Sequence, residues 1–275
     1  MSTLYLVATP IGNLEDITAR ALRVLREVPL IAAEDTRQTK KLLLHFDIST
    51  RLTSYFEHNK LNKLDEILSA LAEGDVALVS DAGTPGLNDP GFELVCAALD
   101  AGHTVSPIPG PSAPVAALVA SGLPTDAFLY LGYLPRKAAD RRRILDEIAK
   151  FRYTLVFLET PHRLLSALAD LKETLGDRQI AAARELTKFH EEIYRGKISE
   201  AAVHFSQSLP RGEFTLVVAG APHKSDLWLP EQVESAIKEG LARGESPSQN
   251  AKEIASQSGW NRRDVYNLIM EIQSH

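Results

Sequence analysis

The stretch Ser80-Asp81-Ala82-Gly83-Thr84-Pro85-Gly86 puts one carboxylate in a stiff, concave bend directly after a short apolar run, Val76–Val79. Gly83 and Gly86 admit backbone angles and close approaches that a side chain blocks. Pro85 stiffens the bend and removes a donor. Open α/β sheets hold ligands at such loops, at the carboxyl ends of their strands. Alone, the stretch reads as a surface turn. A second loop of the same kind, Pro109-Gly110-Pro111-Ser112-Ala113, follows the run Thr104–Pro107 and precedes an apolar helix. Polar clusters end further apolar runs: Asn13 with Asp16, Glu34-Asp35-Thr36-Arg37, Glu57-His58-Asn59, Glu159-Thr160-Pro161-His162-Arg163 and Arg184-Glu185-Leu186-Thr187-Lys188. A helix cap or a surface ion pair accounts for any one of them. Clusters at so many equivalent strand ends exceed what capping requires, and a parallel sheet brings those ends to one edge.

Other chemistries lack their residues. The first apolar run, Leu4–Ala8, leads into Thr9-Pro10-Ile11-Gly12-Asn13 where a dinucleotide fold carries G-x-G-x-x-G, and there is no Walker loop. No Ser stands in a G-x-S-x-G elbow. His45, His58, His103, His162, His190, His204, His223 and His275 make no ligand spacing with a second His, Cys or carboxylate, so no metal is expected. The one cysteine, Cys96, excludes a disulfide framework and is expected in the core, with no flanking His or helix N-terminus to activate it.

The elements that position these loops follow from periodicity. Up to about residue 118, strand and helix alternate. Leu4–Ala8 is a strand, and Asp16–Val28 is a helix with Ile17, Ala21, Val24, Leu25 and Val28 on one face. Leu30–Ala33 is the next strand. Leu64, Ile67, Leu68 and Leu71 form a helical stripe closed by Gly74, and Phe92, Val95, Cys96 and Leu99 form another closed by Gly102. Such alternation implies a mainly parallel sheet covered by helices. Gly122-Leu123-Pro124 marks a linker. Beyond it, strands are expected at Phe128–Leu131, Thr154–Leu158, Ile180–Ala183, Glu191–Arg195 and Phe214–Ala219, with a charged helix over Lys137–Phe151. Thr215–Val218 lacks alternation and is expected to be central, buried on both faces. Pro222–Pro230 reads as a second linker. In the helical tail, Ala255, Gly259 and Val265 stand at the offsets of a helix-turn-helix, or equally of a small helical hairpin packed on the body or a partner.

The bulk numbers are those of a globular protein: 275 residues, 44% hydrophobic and 24% charged. No basic segment precedes an apolar run at the N-terminus, and no stretch approaches the ~20 apolar residues of a membrane span, so a cytoplasmic protein is expected. The net charge of −6 argues against retention on nucleic acid by bulk electrostatics. It leaves a local basic face, with Arg136, Lys137, Arg141, Arg142, Arg143, Lys150 and Arg152 as candidates and Arg262 and Arg263 further on.

Taken jointly, Leu6-Val7-Ala8-Thr9-Pro10-Ile11-Gly12-Asn13-Leu14, Ala33-Glu34-Asp35-Thr36-Arg37, Ser80–Gly86, Pro109–Ala113 and Ala183-Arg184-Glu185-Leu186-Thr187-Lys188 resemble the tetrapyrrole methylase superfamily. Within it they resemble the branch that methylates a ribose 2′-hydroxyl of 16S ribosomal RNA in the small ribosomal subunit, a cytidine of the decoding region. The resemblance runs from about residue 3 to 220. It implies two α/β domains of the tetrapyrrole methylase type, 1–121 and 122–222, with S-adenosylmethionine (SAM) in the cleft between them. It also implies a small helical extension, 223–275, and a homodimer. The cofactor loops it implies are Pro10, Asp81, Ala82, Gly83, Thr84, Pro85, Ser112 and Ala113, with Leu158, Ala183, Glu213 and Phe214 as walls from the second domain. The Gly-rich first loop of tetrapyrrole-specific members is replaced by Thr9–Asn13, which points away from a porphyrin-like substrate. Phe56 stands where RNA-modifying relatives often carry His.

The residues suit that chemistry. A sulfonium carries positive charge beside its reactive methyl, so Asp81 and backbone carbonyls are fitting neighbours. Ser112 can cap the helix that begins at Ala113 and still offer its hydroxyl. Methylation of a ribose oxygen needs in-line attack, where orientation is worth roughly 7–11 kcal/mol, and removal of a poorly acidic proton, where a base adds on the order of 10²–10⁴-fold. The candidate bases are Glu185, a neutralised Lys188 and Asp35. Arg37, Arg163 and Arg184 are expected to grip phosphate or order the cleft. Asn13, His58, Asn59, Arg136, Arg141 and Arg142 complete the expected RNA contacts. Two other readings stand beside this one: a methylase of the same fold acting on a tetrapyrrole, which needs a wide apolar trough, and a non-catalytic nucleic-acid-binding protein led by its C-terminal helices.

Overall fold

The structure, a computed structural model, describes residues 2–222 and 228–274. Met1, His223, His275 and most of the Pro222–Pro230 linker lie outside the described residues. The chain forms two compact units, one of residues 1–149 and 153–219, the other of residues 150–152 and 220–275.

The first unit contains two sheets. The first is built by β1 (Thr3–Val7), α1 (Ala19–Glu27), β2 (Leu30–Ala33), α2 (Thr36–His45), β3 (Arg51–Ser54), α3 (Lys60–Glu73), β4 (Val76–Val79), α4 (Phe92–Asp100), β5 (Thr104–Ile108) and α5 (Ala113–Ala120). Its strands run in the order β3-β2-β4-β1-β5, and every neighbouring pair is parallel. β2 and β4 are buried throughout because helices cover both faces. One face packs Val7, Ile31 and Val79 against Ala21, Val24 and Leu25 of α1. The other packs Leu4, Ala32 and Leu78 against Ile67 and Leu71 of α3 and Leu94 and Ala98 of α4. A strand of a parallel sheet buried on both faces reads as a continuous apolar run, and β2 and β4 do.

The second sheet is built by β6 (Phe128–Tyr133), α6 (Ala138–Ile148), β7 (Thr154–Glu159), α7 (Leu164–Leu175), β8 (Gln179–Arg184), β9 (Glu192–Lys197), α8 (Ile198–Ser206) and β10 (Phe214–Val218). Its order is β6-β7-β10-β8-β9. β10 is central and buried at every residue, as its lack of alternation requires. This sheet is mixed: β10 runs antiparallel to both β7 and β8. The carboxyl ends of β7 and β8 therefore share an edge with the start of β10, where Phe214 pairs with Glu159 on one side and Arg184 on the other.

The second unit holds α9 (Pro230–Ala242), α10 (Pro247–Ser258) and α11 (Arg262–Ser274). Val233, Ile237, Ala251, Ile254, Val265 and Ile269 form its core. Gly259 ends α10 at φ +68°, a left-handed turn that suits glycine.

Several boundaries differ from expectation. The helix expected over Asp16–Val28 starts at Ala19, because the Thr18 side chain caps it by accepting the Ala21 N–H; Leu14–Asp16 is a separate 3₁₀ turn. Gly74 ends α3 with extended backbone, whereas Gly102 takes the left-handed form (φ +81°) and closes α4. α4 buries Leu94 and Ala98 and leaves Phe92 and Leu99 exposed, so Cys96 is only half-buried and not a core residue. The charged helix α6 stops at Ile148. β3 escapes the periodicity because its four residues, Arg-Leu-Thr-Ser, hold one apolar side chain. Among the described residues no helix is long and apolar enough to cross a membrane.

Candidate active site

Three loops of the first sheet are stitched at its carboxyl edge. Thr9 and Gly83 exchange backbone hydrogen bonds of 2.9 and 3.0 Å, and the Thr9 hydroxyl donates to the Ser80 carbonyl. Gly83 adopts φ +81°, and the Thr84 hydroxyl donates to the Pro111 carbonyl (3.3 Å). A Cβ on Gly110 would stand 3.0 Å from that of Ala8. The glycines thus let main chain lie against main chain, and the two Gly/Pro loops form one rigid rim.

Behind this rim lies a cavity of about 210 Å³ whose opposite wall comes from the second sheet. Asp81, Ala82, Gly83, Thr84, Ser112 and Ala113 line it from one side, and Leu158, Ala183, Glu213 and Phe214 from the other. Pro85 is buried in its loop and does not line the cavity, and Pro10 borders a neighbouring recess with Gln38, Lys41 and Asp81. Ser112 occupies the N-cap of α5, but its hydroxyl makes no capping bond and stays available to a ligand.

The cavity is acidic. Glu34, Asp81 and Asp89 face it, and among the described residues none of the three belongs to an ion pair. The Asp81 N–H donates to the Glu34 carboxylate, and the Asp81 carboxylate accepts the Asp35 N–H (3.0 Å). Burial raises the pKa of Glu34 and of Asp81, each against one backbone N–H. Asp89 is pushed up to about 6, by burial first and by the charge of Glu34 second, with the Ser80 hydroxyl opposing. Tyr130 and Tyr133 also face the cavity, and burial lifts both phenols, Tyr130 to about 12.

The expected bases are engaged elsewhere. Lys188 faces the cavity but binds Glu185 at 2.9 Å and Glu213 at 3.3 Å. Burial pushes its ammonium pKa down, but the two carboxylates outweigh this and raise it, so the amine is charged. Burial likewise pushes Glu185 up, and the Lys188 ammonium and the Glu213 N–H more than reverse it. Asp35 does not line the cavity; it caps α2 and chelates Arg37 through Nε and Nη2, which holds its carboxyl at about 2.

The expected RNA contacts do not gather at the cavity either. Asn13 caps the 3₁₀ turn through the Glu15 N–H, and Asn59 accepts the Phe56 N–H while His58 is exposed beside it. Arg163 lies between the Leu134 and Pro135 carbonyls and the buried Glu159. Arg184 holds the Arg211 carbonyl and Glu192. Arg141 is buried and paired with Asp170, which also engages Arg142; Arg136 is exposed.

Asn88, Asp89, Tyr130 and Tyr133 are the site residues that pattern reading missed. Asn88 and Asp89 directly follow the Gly86 turn, so their place in that loop was a signal. The tyrosines gave none. Positions 130 and 133 lie on opposite faces of a regular strand, but a bulge at Leu131 lets Tyr130 pair with Val156 and Tyr133 with Leu158, two apart on β7 and on one face. Gly132 makes the bulge at φ +62°, and the Tyr130 hydroxyl donates to the Asn88 carboxamide at 2.6 Å. A Cβ at Gly132 would stand 2.2 Å from the Asn88 amide nitrogen. Gly132→Ala is therefore expected to displace Asn88 and weaken ligand binding at the cavity at least tenfold, about 1.4 kcal/mol, as calorimetry would measure; unchanged affinity would show that the Asn88–Tyr130 contact is dispensable.

A family model described as Tetrapyrrole (Corrin/Porphyrin) Methylases matches residues 3–202. The chain is 48% identical to the "Ribosomal RNA small subunit methyltransferase I" of Halalkalibacterium halodurans, over 97% of this chain and 94% of that protein. It is 46% identical to the protein of the same name from Synechocystis, over 100% and 99%. A third, from Thermotoga maritima, is 50% identical over 80% of this chain and 99% of its own length. In fold the chain is similar to the cobalamin biosynthetic enzyme cobalt precorrin-4 methyltransferase (TM-score 0.61, 14% identity, 79% of this chain and 94% of that one). It is also similar to uroporphyrin-III C-methyltransferase of Thermus thermophilus complexed with S-adenosyl homocysteine (TM-score 0.54, 21% identity, 78% and 97%).

Proposed function

Since the chain belongs to the tetrapyrrole (corrin/porphyrin) methylase family, we propose that it is a cytoplasmic SAM-dependent methyltransferase of small-subunit ribosomal RNA that modifies the 2′-hydroxyl of a cytidine. The rRNA substrate class rests on what its relatives are named, at 46% and 48% identity over nearly the whole chain. The observation that carries the chemistry is the unpaired set Glu34, Asp81 and Asp89 on one cavity. Glu34 and Asp89 are half-buried; such carboxylates without an ion-pair partner are costly, and a cationic ligand offsets that cost. A main-chain rim with a free Ser112 hydroxyl suits a polar nucleoside group.

The residues that would hold the cofactor are Asp81–Thr84, Ser112 and Ala113, with Leu158, Ala183 and Phe214 as apolar walls. When bound, SAM supplies an electrophilic methyl carbon next to a positive sulfur. Asp89 is the base: its carboxylate oxygen takes the proton of the 2′-hydroxyl. Glu185 and Lys188 instead brace the wall, with Lys188 fixing Glu185 and Glu213. The exposed apolar side chains Phe92, Leu99, Val115 and Val119 on α4 and α5 support a contact between two copies of the chain.

The test uses methyl-tritiated SAM and small ribosomal subunits from cells lacking this gene. Label is expected in 16S RNA, with the adjoining phosphodiester resistant to alkali, because a methylated 2′-oxygen cannot attack it. Label without alkali resistance would sink the ribose assignment. Absence of SAM uptake by calorimetry would sink the methyltransferase itself, and label on a uroporphyrinogen in place of RNA would favour the tetrapyrrole reading.

A further inference from the structure

Phe189 is 96% exposed, more than any other large apolar side chain among the described residues. Its surroundings are well fixed. The Glu191 N–H donates to the Lys188 carbonyl (3.0 Å), so Phe189 and His190 are the two central residues of a tight turn. The Lys188 N–H donates to the Glu185 carbonyl, and the Glu191 carboxylate accepts the Thr187 N–H at 2.6 Å. Central turn positions favour Gly, Asn, Asp, Pro and Ser; an aromatic pair there meets no local need. The rings stand edge to face, with centroids 5.0 Å apart and planes at 80°, so His190 supports Phe189 from the side and leaves it in water.

The turn stands at the cavity. Lys188, the residue before Phe189, lines it and anchors to Glu185 and Glu213. Across from it, the Thr9–Asn13 loop presses on the same segment: a Cβ on Gly12 would lie 2.4 Å from Lys188 Cγ and 2.8 Å from the Thr187 hydroxyl. An aromatic ring is thereby held one residue from the cavity wall, on a base fixed by hydrogen bonds and close packing.

We propose that Phe189, steadied by His190, is a stacking platform for an unpaired nucleobase of the RNA, positioning the strand so that the target ribose enters the cavity. The inference rests on the RNA methyltransferase reading given above. Proteins that take unstacked bases from single-stranded RNA place them on exposed aromatic rings. A flat ring in a preorganised turn loses little entropy when it binds, and stacking tolerates any base, so Phe189 sets affinity more than sequence choice.

The experiment compares wild type with Phe189→Ala, Phe189→Leu, Phe189→Trp and His190→Ala in two measurements: filter binding to unmethylated small subunits, and steady-state methylation of them. Phe189→Ala is expected to weaken binding and raise KM about 5- to 150-fold, the worth of one stacked base, with kcat and calorimetric SAM affinity near wild type. Phe189→Trp should retain binding, Phe189→Leu should resemble Ala, and His190→Ala should fall between. A leucine variant that binds as well as wild type would overturn the platform, because an apolar contact would then suffice. So would dissociation of a dimer by Phe189→Ala in sedimentation, which would make the ring a contact between copies. If wild type methylates RNA and Phe189→Ala matches it in KM, the platform alone fails; if wild type takes up no SAM, the methyltransferase reading fails and takes the platform with it.

Discussion

Asp89→Asn is expected to lower kcat on small subunits by on the order of 10²–10⁴-fold, the usual contribution of a positioned base, while the protein still binds SAM. The shape of residue 89 is kept and only its ability to take a proton is lost. In wild type, kcat/KM reports the free protein, in which Asp89 titrates at about 6. The anion is the active form, so the rate should fall tenfold per pH unit below that value and level off above it. Glu34, Asp81 and Glu213 face Asp89 with negative charge, Tyr130 and Tyr133 stand near it as neutral phenols, and the Ser80 hydroxyl opposes the shift. The acid limb should be missing from the Asn variant. Folding raises this pKa, so ionised Asp89 weakens the fold progressively as the pH rises from 3.8 through about 6. The variant should therefore melt no lower than wild type at pH 7. Activity within about threefold of wild type, or an unchanged acid limb, would remove Asp89 from the chemistry.

Arg141→Ala should destabilise the first unit by about 3–5 kcal/mol, a fall in Tm of about 10 °C for a unit of this size. Arg141 is 4% exposed and Asp170 6%. The guanidinium donates to Asp170 through Nε at 2.6 Å and to the Pro135 carbonyl at 3.2 Å. Its removal takes from a buried carboxylate its closest partner, while the Pro135 carbonyl keeps the Arg163 guanidinium. Arg142 also reaches Asp170, at 3.2 Å from a half-exposed position, which places the loss toward the lower end of the range. Arg142→Ala should cost under about 1 kcal/mol. Replacing both partners, Arg141→Met with Asp170→Leu, should restore most of the stability, because a pair of apolar side chains leaves nothing unsatisfied. A melting point within about 2 °C of wild type for Arg141→Ala would show that water reaches Asp170 and that the pair is not a strut.

Arg141 also marks the limit of reading charge from sequence. Along α6 the run Arg141-Arg142-Arg143 looks like one basic face, but helical geometry turns adjacent residues about 100° apart, and the first of them points into the packing against α7. Lys188 and Glu185 are a similar case. Their spacing announced polar groups at a strand end, and they do face the cavity. They pair with each other locally, but the second carboxylate on the Lys188 ammonium, Glu213, is distant in sequence and arrives at the start of β10.

What the sequence by itself determined is local. Gly83, Gly110 and the prolines beside them could only be tight loops, because their backbone angles and missing side chains permit the approach of Thr9 to Gly83 and of Gly110 to Ala8. Continuous apolar runs specified buried strands, and the resemblance carried by the loops specified the fold. Tertiary structure alone decided which carboxylates lack a counter-ion, which arginines are struts, and that a one-residue bulge in β6 brings Tyr130 and Tyr133 to one face. A pKa, an ion pair or a shared face depends on groups that long-range packing brings within a few ångströms, and short-range periodicity carries no record of those distances.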